Sequence, residues 1–267
     1  MSEETNFHIG PEPELVWVPV DSIFVDHAYQ RELKPALVKK ILKNFSWAKF
    51  GCLSLAAHAD GRYACIEGQH RLEAARNHPQ VSRVPAAIFR MQDVSEEADA
   101  FLGINATRQA VSSVERYWAG LRAGDPACLR IHEVLSKVGC TVVRSGTMQK
   151  VGETNAVTAV GRALDRYGEK AVLAALATLR RAWPKDRTAL SGTLIVTLAR
   201  LYLGNPNIIV NRMVERLSES SRAKLTADAE AIRKAFGGSA ETVIAKALVE
   251  TYNKGLSKNL ISIGVKR

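Results

Sequence analysis

Ile66-Glu67-Gly68-Gln69-His70-Arg71-Leu72-Glu73-Ala74-Ala75 is the stretch on which the reading of this chain turns. A strand-forming run over 62–67 ends at Gly68, and a helical pattern over 69–77 begins at once. Glycine reaches backbone conformations that other residues resist, and it lets a ligand approach closely. The first amides of a helix are unpaired donors at the positive end of its dipole. That dipole disfavours cations, yet His70 and Arg71 occupy the first turn. An anion held between them resolves the conflict, and an arginine fork matches phosphate oxygens. The plainer alternative is a strand–turn–helix with exposed polar residues.

Working outward, Asp60-Gly61 signals a hairpin between strands over 52–58 and 62–67, because both positions favour positive φ. Residues 14–19 alternate apolar and polar and suit a short strand, and 84–90 suit another. Leu33, Leu37, Val38, Ile41, Leu42 and Phe45 form a stripe that predicts a helix over 33–45, with Pro35 in its first turn. Ser95, with Glu97 and Asp99 behind it, is placed to open a helix near Glu96. From there the pattern is helical almost throughout. Apolar faces recur near 96–103, 112–123, 126–138, 155–168, 169–183, 188–204, 207–219, 222–236 and 239–254. Gly139, Gly168, Pro184, Gly204 and Gly237-Gly238 separate them. Residues 190–203 are apolar around most of the helix and predict the centre of a bundle. The expected architecture is a disordered tail over 1–13, an α+β domain over 14–110 and a basic all-helical domain over 111–267.

Charge follows this division. The chain of 267 residues has a formal net charge of +10. Residues 1–108 hold 12 Lys/Arg and 14 Asp/Glu, whereas 109–267 hold 25 and 13. The excess positive charge therefore lies in the helical part, where a polyanion such as DNA would be drawn. A solvated basic surface without a partner is the rival reading. Arg162 and Arg166, a helical turn apart, and Arg180-Arg181 are the candidate DNA contacts, with Lys185, Arg187, Arg212 and Arg216 as further phosphate contacts. A helix-turn-helix fits best at 147–166, with Met148 and Val151 on its first helix, Gly152 at its turn and 155–166 as the reading helix. A plain bundle is the alternative.

No apolar run reaches 18 residues, so no membrane span is expected. The acidic start lacks a secretory pattern. Cys52, Cys65, Cys128 and Cys140 show no metal-site spacing and read as buried, reduced thiols of a cytoplasmic protein. His58, His78 and His132 stand alone in the sequence and read as structural.

The 66–75 stretch resembles the phosphate motif of the ParB/sulfiredoxin superfamily, G-E-R-R in ParB proteins, G-C-H-R in sulfiredoxins and D-G-H-H-R in free-serine kinases of the fold. Val18-Pro19-Val20-Asp21-Ser22-Ile23 resembles the opening strand and its I-x-x-I step, and Tyr29-Gln30-Arg31 the Q-P-R that follows. Residues 37–45 resemble the L-x-x-S-I helix, the segment from Gly51 the G-x-x-x-P-I-x-V strand, Gly61-Arg62-Tyr63 the G-x-Y hairpin, and Val84-Pro85 the V-P strand. Ile104-Asn105-Ala106-Thr107-Arg108, followed by Val111-Ser112-Ser113-Val114-Glu115, is similar to E-N-x-x-R followed by L-N-P-I-E. Tyr29-Gln30-Arg31, the Gly68 turn and Glu96-Glu97-Ala98 leading to Phe101 and Asn105 look like a ParB-like family of phages and mobile elements. The resemblance covers roughly residues 15–118.

The resemblance implies a nucleotide, CTP or ATP, gripped by Glu67, Gly68, Gln69, His70 and Arg71, with Gln30, Arg31, Asn105 and Arg108 nearby. It also implies DNA as a partner, a homodimer, and a role such as plasmid partition in a prokaryotic mobile element or phage. Departures narrow the chemistry. Gln69 stands where sulfiredoxins have their cysteine, which removes the nucleophile. Ile104 stands where ParB has a Glu beside Mg²⁺, and an apolar side chain cannot ligate a metal, so no metal site is read here. Asp21, Asp26 and Glu32 stand near the place of the kinase base but read as surface charges. Binding is thus expected ahead of catalysis. The alternative is a ParB-like nuclease, NTPase or kinase using the same loop, and Mg²⁺ is a candidate cofactor beside the nucleotide.

Overall fold

Residues 63–67 alternate between two apolar cores, and the first part of the fold is built around them. The computed structural model describes residues 9–107, 110–144 and 149–263. The chain divides into two units, residues 1–109 and 110–267.

The first unit runs β1 (Glu14–Pro19), a 3-10 turn (Val20–Ser22), β2 (Ile23–Phe24), α1 (Pro35–Lys43), the single-turn α2 (Trp47–Phe50), β3 (Leu53–Ala57), β4 (Tyr63–Glu67), α3 (Gln69–Arg76), β5 (Arg83–Phe89) and α4 (Val94–Thr107). One five-stranded sheet takes the order β1-β5-β3-β4-β2. The β1/β5 and β3/β4 pairs are antiparallel, and β3/β5 and β2/β4 are parallel. On one face Cys65 joins Leu53, Leu55 and Val84 beneath Leu72 and Ala75 of α3. On the other, Ala56, Ala64 and Ile66 meet Phe101 and Ile104 of α4. The period of two that puts Cys65 on one face therefore puts Ile66 on the opposite one. Each fully buried Leu or Ile contributes about 1.5–3 kcal/mol to holding these layers together.

Local signals are refined in three places. Only Gly61 of the Asp60-Gly61 pair takes positive φ, at 81°. Asp60 instead accepts from the Arg62 amide at 3.0 Å and from Arg62 Nε at 2.7 Å, an Asx turn that closes the hairpin without the strained backbone. Helix α4 begins at Val94, and its cap is Asp93, whose Oδ1 accepts from the Glu96 amide at 3.0 Å, in place of the expected Ser95. Cys52 is exposed and Cys128 half-buried, so only Cys65 and Cys140 are buried as expected, and all four cysteines are free thiols.

The second unit contains α5 (Ser113–Arg122), α6 (Pro126–Lys137), β6 (Thr141–Val142), β7 (Glu153–Thr154), α7 (Val157–Ala182), α8 (Gly192–Gly204), α9 (Val210–Ser218), α10 (Arg222–Phe236) and α11 (Ala240–Asn253). A capping box at Ser112 and Glu115 opens α5. Helix α7 is broken at Gly168, whose φ of 78° and ψ of 166° are not helical. Helix α8 buries Leu194, Ile195, Leu198, Ala199 and Leu201 at the centre of the bundle core.

The helix-turn-helix expected at 147–166 is not formed as read. Met148 lies outside the described residues, Val151 and Gly152 form a turn, and Glu153–Thr154 is the strand β7, paired in parallel with β6. Thr141 donates its amide to the Gly152 carbonyl at 3.0 Å, so backbone needed for a first helix is committed to the small sheet. No helix falls between Lys137 and Val157 among the described residues.

Candidate functional site

Gly68 is the N-cap of α3, with φ 108° and ψ 18° in the left-handed region. A Cβ built there would stand 2.3 Å from Leu53 Cδ2 and 3.0 Å from Arg71 Nη2. Both backbone and space therefore require glycine. The amides of Arg71 and Leu72 return to the Gly68 carbonyl at 2.8 and 2.9 Å. No side chain among the described residues caps this helix, and the amides of Gln69 and His70 in its first turn have no partner within the helix.

Residues 29–34 lie across the turn, held by side chains rather than by a sheet. Gln30 Nε2 donates to the carbonyls of Cys65 and Ile66, both at 2.8 Å. Buried Gln69 donates from Nε2 to the Arg31 carbonyl at 3.0 Å. His70 Nε2 accepts the Lys34 amide at 3.0 Å. Arg31 Nη2 donates to Asn105 Oδ1 at 3.0 Å, and Asn105 Nδ2 donates to the Phe101 carbonyl at 2.7 Å.

Burial, with the nearby charges of Arg31 and Lys34, pushes His70 below the ordinary imidazole value. A neutral ring accepting at Nε2 carries its proton on Nδ1. The imidazole thus fixes the Lys34 backbone as a lone-pair acceptor.

Arg71 sits differently from the phosphate fork that the sequence suggested. Nη1 donates to the Phe50 carbonyl and, at 3.1 Å, to the Cys52 carbonyl, while Nη2 donates to the Glu67 carboxylate. The guanidinium therefore ties α3 to the 50–52 loop as well as bordering the turn. Cys65 is fully buried beneath it, and burial pushes its thiol up to about 12. It is no nucleophile at neutral pH.

Gln30, Arg31, Glu67, Gly68, Gln69, His70, Arg71 and Asn105 all border one cavity of about 200 Å³. Arg108 lies outside the described residues. Leu37, Ile41, Ile66 and Phe101 supply an apolar wall to which the sequence reading gave no binding role. Leu37 and Ile41 stood out on a helix stripe and Ile66 and Phe101 within motifs, but only the tertiary packing brings the four together at the turn. A second, mostly apolar hollow of about 420 Å³ shares Leu37, Ile41 and Arg71 and adds Phe45 and Phe50.

The donor set does not suit Mg²⁺. Glu67 is paired with Arg71, Asn105 Oδ1 accepts from Arg31, and Ile104 packs in the apolar core. No group of three His, Cys, Asp or Glu among the described residues could hold a metal.

In the second unit, Arg162 and Arg166 are exposed on the part of α7 that precedes Gly168. Arg181 is exposed and donates to Asn211 Oδ1 at 2.9 Å. Arg180 is half-buried, its guanidinium against Gly152. Arg212 and Arg216 cap α11: they donate to the carbonyls of Tyr252 and Lys254 at 2.9–3.1 Å. Helix C-termini leave carbonyls unpaired, and these two arginines supply the donors. No helix among the described residues is long and apolar enough to cross a membrane.

Neither a protein-family model nor a curated protein sequence matches the chain. Among solved structures it is similar to the C-terminally truncated chromosome-partitioning protein ParB from Caulobacter crescentus complexed with CTP-gamma-S. The identity is 14% and the TM-score 0.35, over 89% of this chain and 99% of that one. It is also similar to the truncated Caulobacter crescentus ParB complexed to the centromeric parS site, at 12% identity and TM-score 0.30 over 87% and 98%. At these values the ligands named belong to those two complexes.

Proposed function

We propose that the chain is a ParB-like protein that binds a nucleoside triphosphate, CTP or ATP, at the Gly68 turn and DNA on its basic helical unit. The observation that carries the reading is the convergence at one cavity of uncapped helix amides, His70, Arg31 and Asn105. Helix amides and a guanidinium are the donors an anion takes, which supports the reading. The cavity alone is smaller than a typical ligand pocket of about 300–1,000 Å³, and the adjoining apolar hollow extends it into that range. A triphosphate would sit on the α3 amides and Arg31. The apolar walls from α1 and α4 would take the less polar remainder. Because the donor set does not suit a metal, the phosphate charge would be met by protein donors, and binding rather than hydrolysis is the activity proposed.

DNA binding rests on the charge of residues 109–267 and on exposed Arg162, Arg166 and Arg181. With no helix-turn-helix formed by the described residues of 147–166, the contacts would be to phosphates and would carry little sequence information. A cytoplasmic role on a mobile element or phage, with a second copy of the chain as partner, completes the reading. Two measurements on the full chain test it. Thermal stability with CTP, ATP, GTP and ADP, with and without Mg²⁺, should rise with CTP or ATP. A ligand at 100 times its Kd adds about 2.7 kcal/mol. DNA affinity should fall steeply with salt. No thermal response to any nucleotide sinks the first half of the proposal, and salt-independent or absent DNA binding sinks the second.

A further inference from the structure

Glu97, in the first turn of α4, is a carboxylate with 3% of its surface exposed. Its Oε2 accepts from the Tyr29 hydroxyl at 3.0 Å, and its Oε1 lies 2.8 Å from His58 Nε2. A buried carboxylate is costly unless partners and a favourable dipole offset the lost water, and Glu97 has both. Burial, and then Glu97 itself, push the Tyr29 hydroxyl well above its ordinary value, so it stays a donor.

Glu97, Phe101 and Asn105 recur every fourth residue and share one face of α4. All three touch the same short segment. Glu97 holds the Tyr29 hydroxyl, the Phe101 ring tilts against the Tyr29 ring with centroids 5.9 Å apart, and Asn105 accepts from Arg31. Phe101 and Asn105 border the cavity. Glu97 stands one turn before Phe101 and two before Asn105, about 12 Å from the latter along the axis. Residues 25–34 form no helix or strand, so side-chain ties decide where they lie.

We infer that Glu97 is a positioning residue for the site. Through Tyr29 it fixes the 29–34 segment along α4, and so places the Arg31 guanidinium beside Asn105 and over the Gly68 turn. The consequence for ligand affinity rests on the nucleotide reading above; the positioning itself rests on the Glu97–Tyr29 geometry.

Two variants test it in the full chain. Tyr29→Phe removes one hydroxyl and leaves Glu97 with His58, and Glu97→Gln keeps the size of the side chain. Hydrogen exchange without ligand is read at the amides of Gln30 and Lys34, which bond to the Asp26 carbonyl at 3.1 Å and to His70 at 3.0 Å. Both variants should raise exchange there about tenfold while amides of β3 and β4 keep their protection. Affinity for CTP, ATP and inorganic triphosphate should fall roughly fivefold, the worth of one hydrogen bond. The loss from Tyr29→Phe should vanish in an Arg31→Ala background, because the two then act through one contact. Unchanged exchange at Gln30 and Lys34, or a rise shared equally by β3 and β4, overturns the inference. So does full affinity, or an undiminished loss without Arg31. Loosened Gln30 and Lys34 in a protein that binds none of the three ligands supports the positioning role and overturns the nucleotide reading alone.

Discussion

Arg71 donates from Nη2 to the carboxylate of Glu67, its neighbour four residues back across the Gly68 turn. The same guanidinium reaches the carbonyls of Phe50 and Cys52 with Nη1. One side chain thereby joins the end of β4, the start of α3 and the loop that follows α2. The residue that most resembled a phosphate fork in the sequence first serves to hold the turn in shape.

Arg71→Ala is therefore expected to destabilise the first unit. The Phe50 and Cys52 carbonyls and the Glu67 carboxylate each lose their bond to Arg71, and a buried group deprived of a hydrogen bond costs about 1–3 kcal/mol. A loss of roughly 2–4 kcal/mol in urea unfolding is expected. Unchanged stability with lost ligand binding would instead make Arg71 a ligand contact alone.

Gly68→Ala tests the turn itself. The left-handed backbone costs a non-glycine residue about 1–2 kcal/mol, and the 2.3 Å approach to Leu53 adds an overpacking cost of about 1–3 kcal/mol. The variant should melt earlier than wild type. Gly139→Ala, where φ is also positive but nothing lies within 4 Å, should show only the backbone part of that loss.

His70 makes stability depend on pH. Its native value is lowered, so between that value and about 6.5 the unfolded chain binds the proton more readily. Its contribution is complete above the unfolded value, falls as pH drops through that window, and stops changing below the lowered native value. Unfolding free energy measured from pH 7.5 to 5 should therefore fall more in wild type than in His70→Gln. Parallel curves would show that His70 is not held neutral by the fold.

The arginines of the second unit should separate into two classes. Arg212→Ala removes donors from the end of α11 and should cost about 1–2 kcal/mol of stability. Arg162→Ala and Arg166→Ala are exposed and should leave stability within about 0.5 kcal/mol. Together they should weaken DNA binding and shallow its log–log salt slope by about 2. The reverse pattern would place the DNA surface elsewhere.

Much of this was legible in the sequence because it was local. The strand into Gly68, the helix after it and the Glu14–Pro19 strand follow from short periodic patterns. Helix α8 follows from a long apolar run, and Gly168 from the conformation only glycine takes readily. What could not be read depends on residues far apart in the chain. Nothing near Arg71 announces the Phe50 carbonyl, 21 residues away, and nothing near Gln30 announces the carbonyls of Cys65 and Ile66. The two-residue strands β2, β6 and β7 are too short to leave a period, and β7 stands within the segment read as a helix-turn-helix. Arg212 and Arg216 read as phosphate contacts in the sequence, and only the folded chain shows them bonded to the end of α11, about 40 residues away.

The Gly68 turn is proposed as the nucleotide site. Calorimetric titration of CTP and ATP into the wild-type chain and into Arg31→Ala tests it most directly. Saturable, one-to-one binding of CTP or ATP to wild type is expected, competed by inorganic triphosphate and weakened at least tenfold in Arg31→Ala, since a lost charge-assisted bond is worth about 1.5–3 kcal/mol. No heat of binding to wild type, or equal affinity without Arg31, would contradict it.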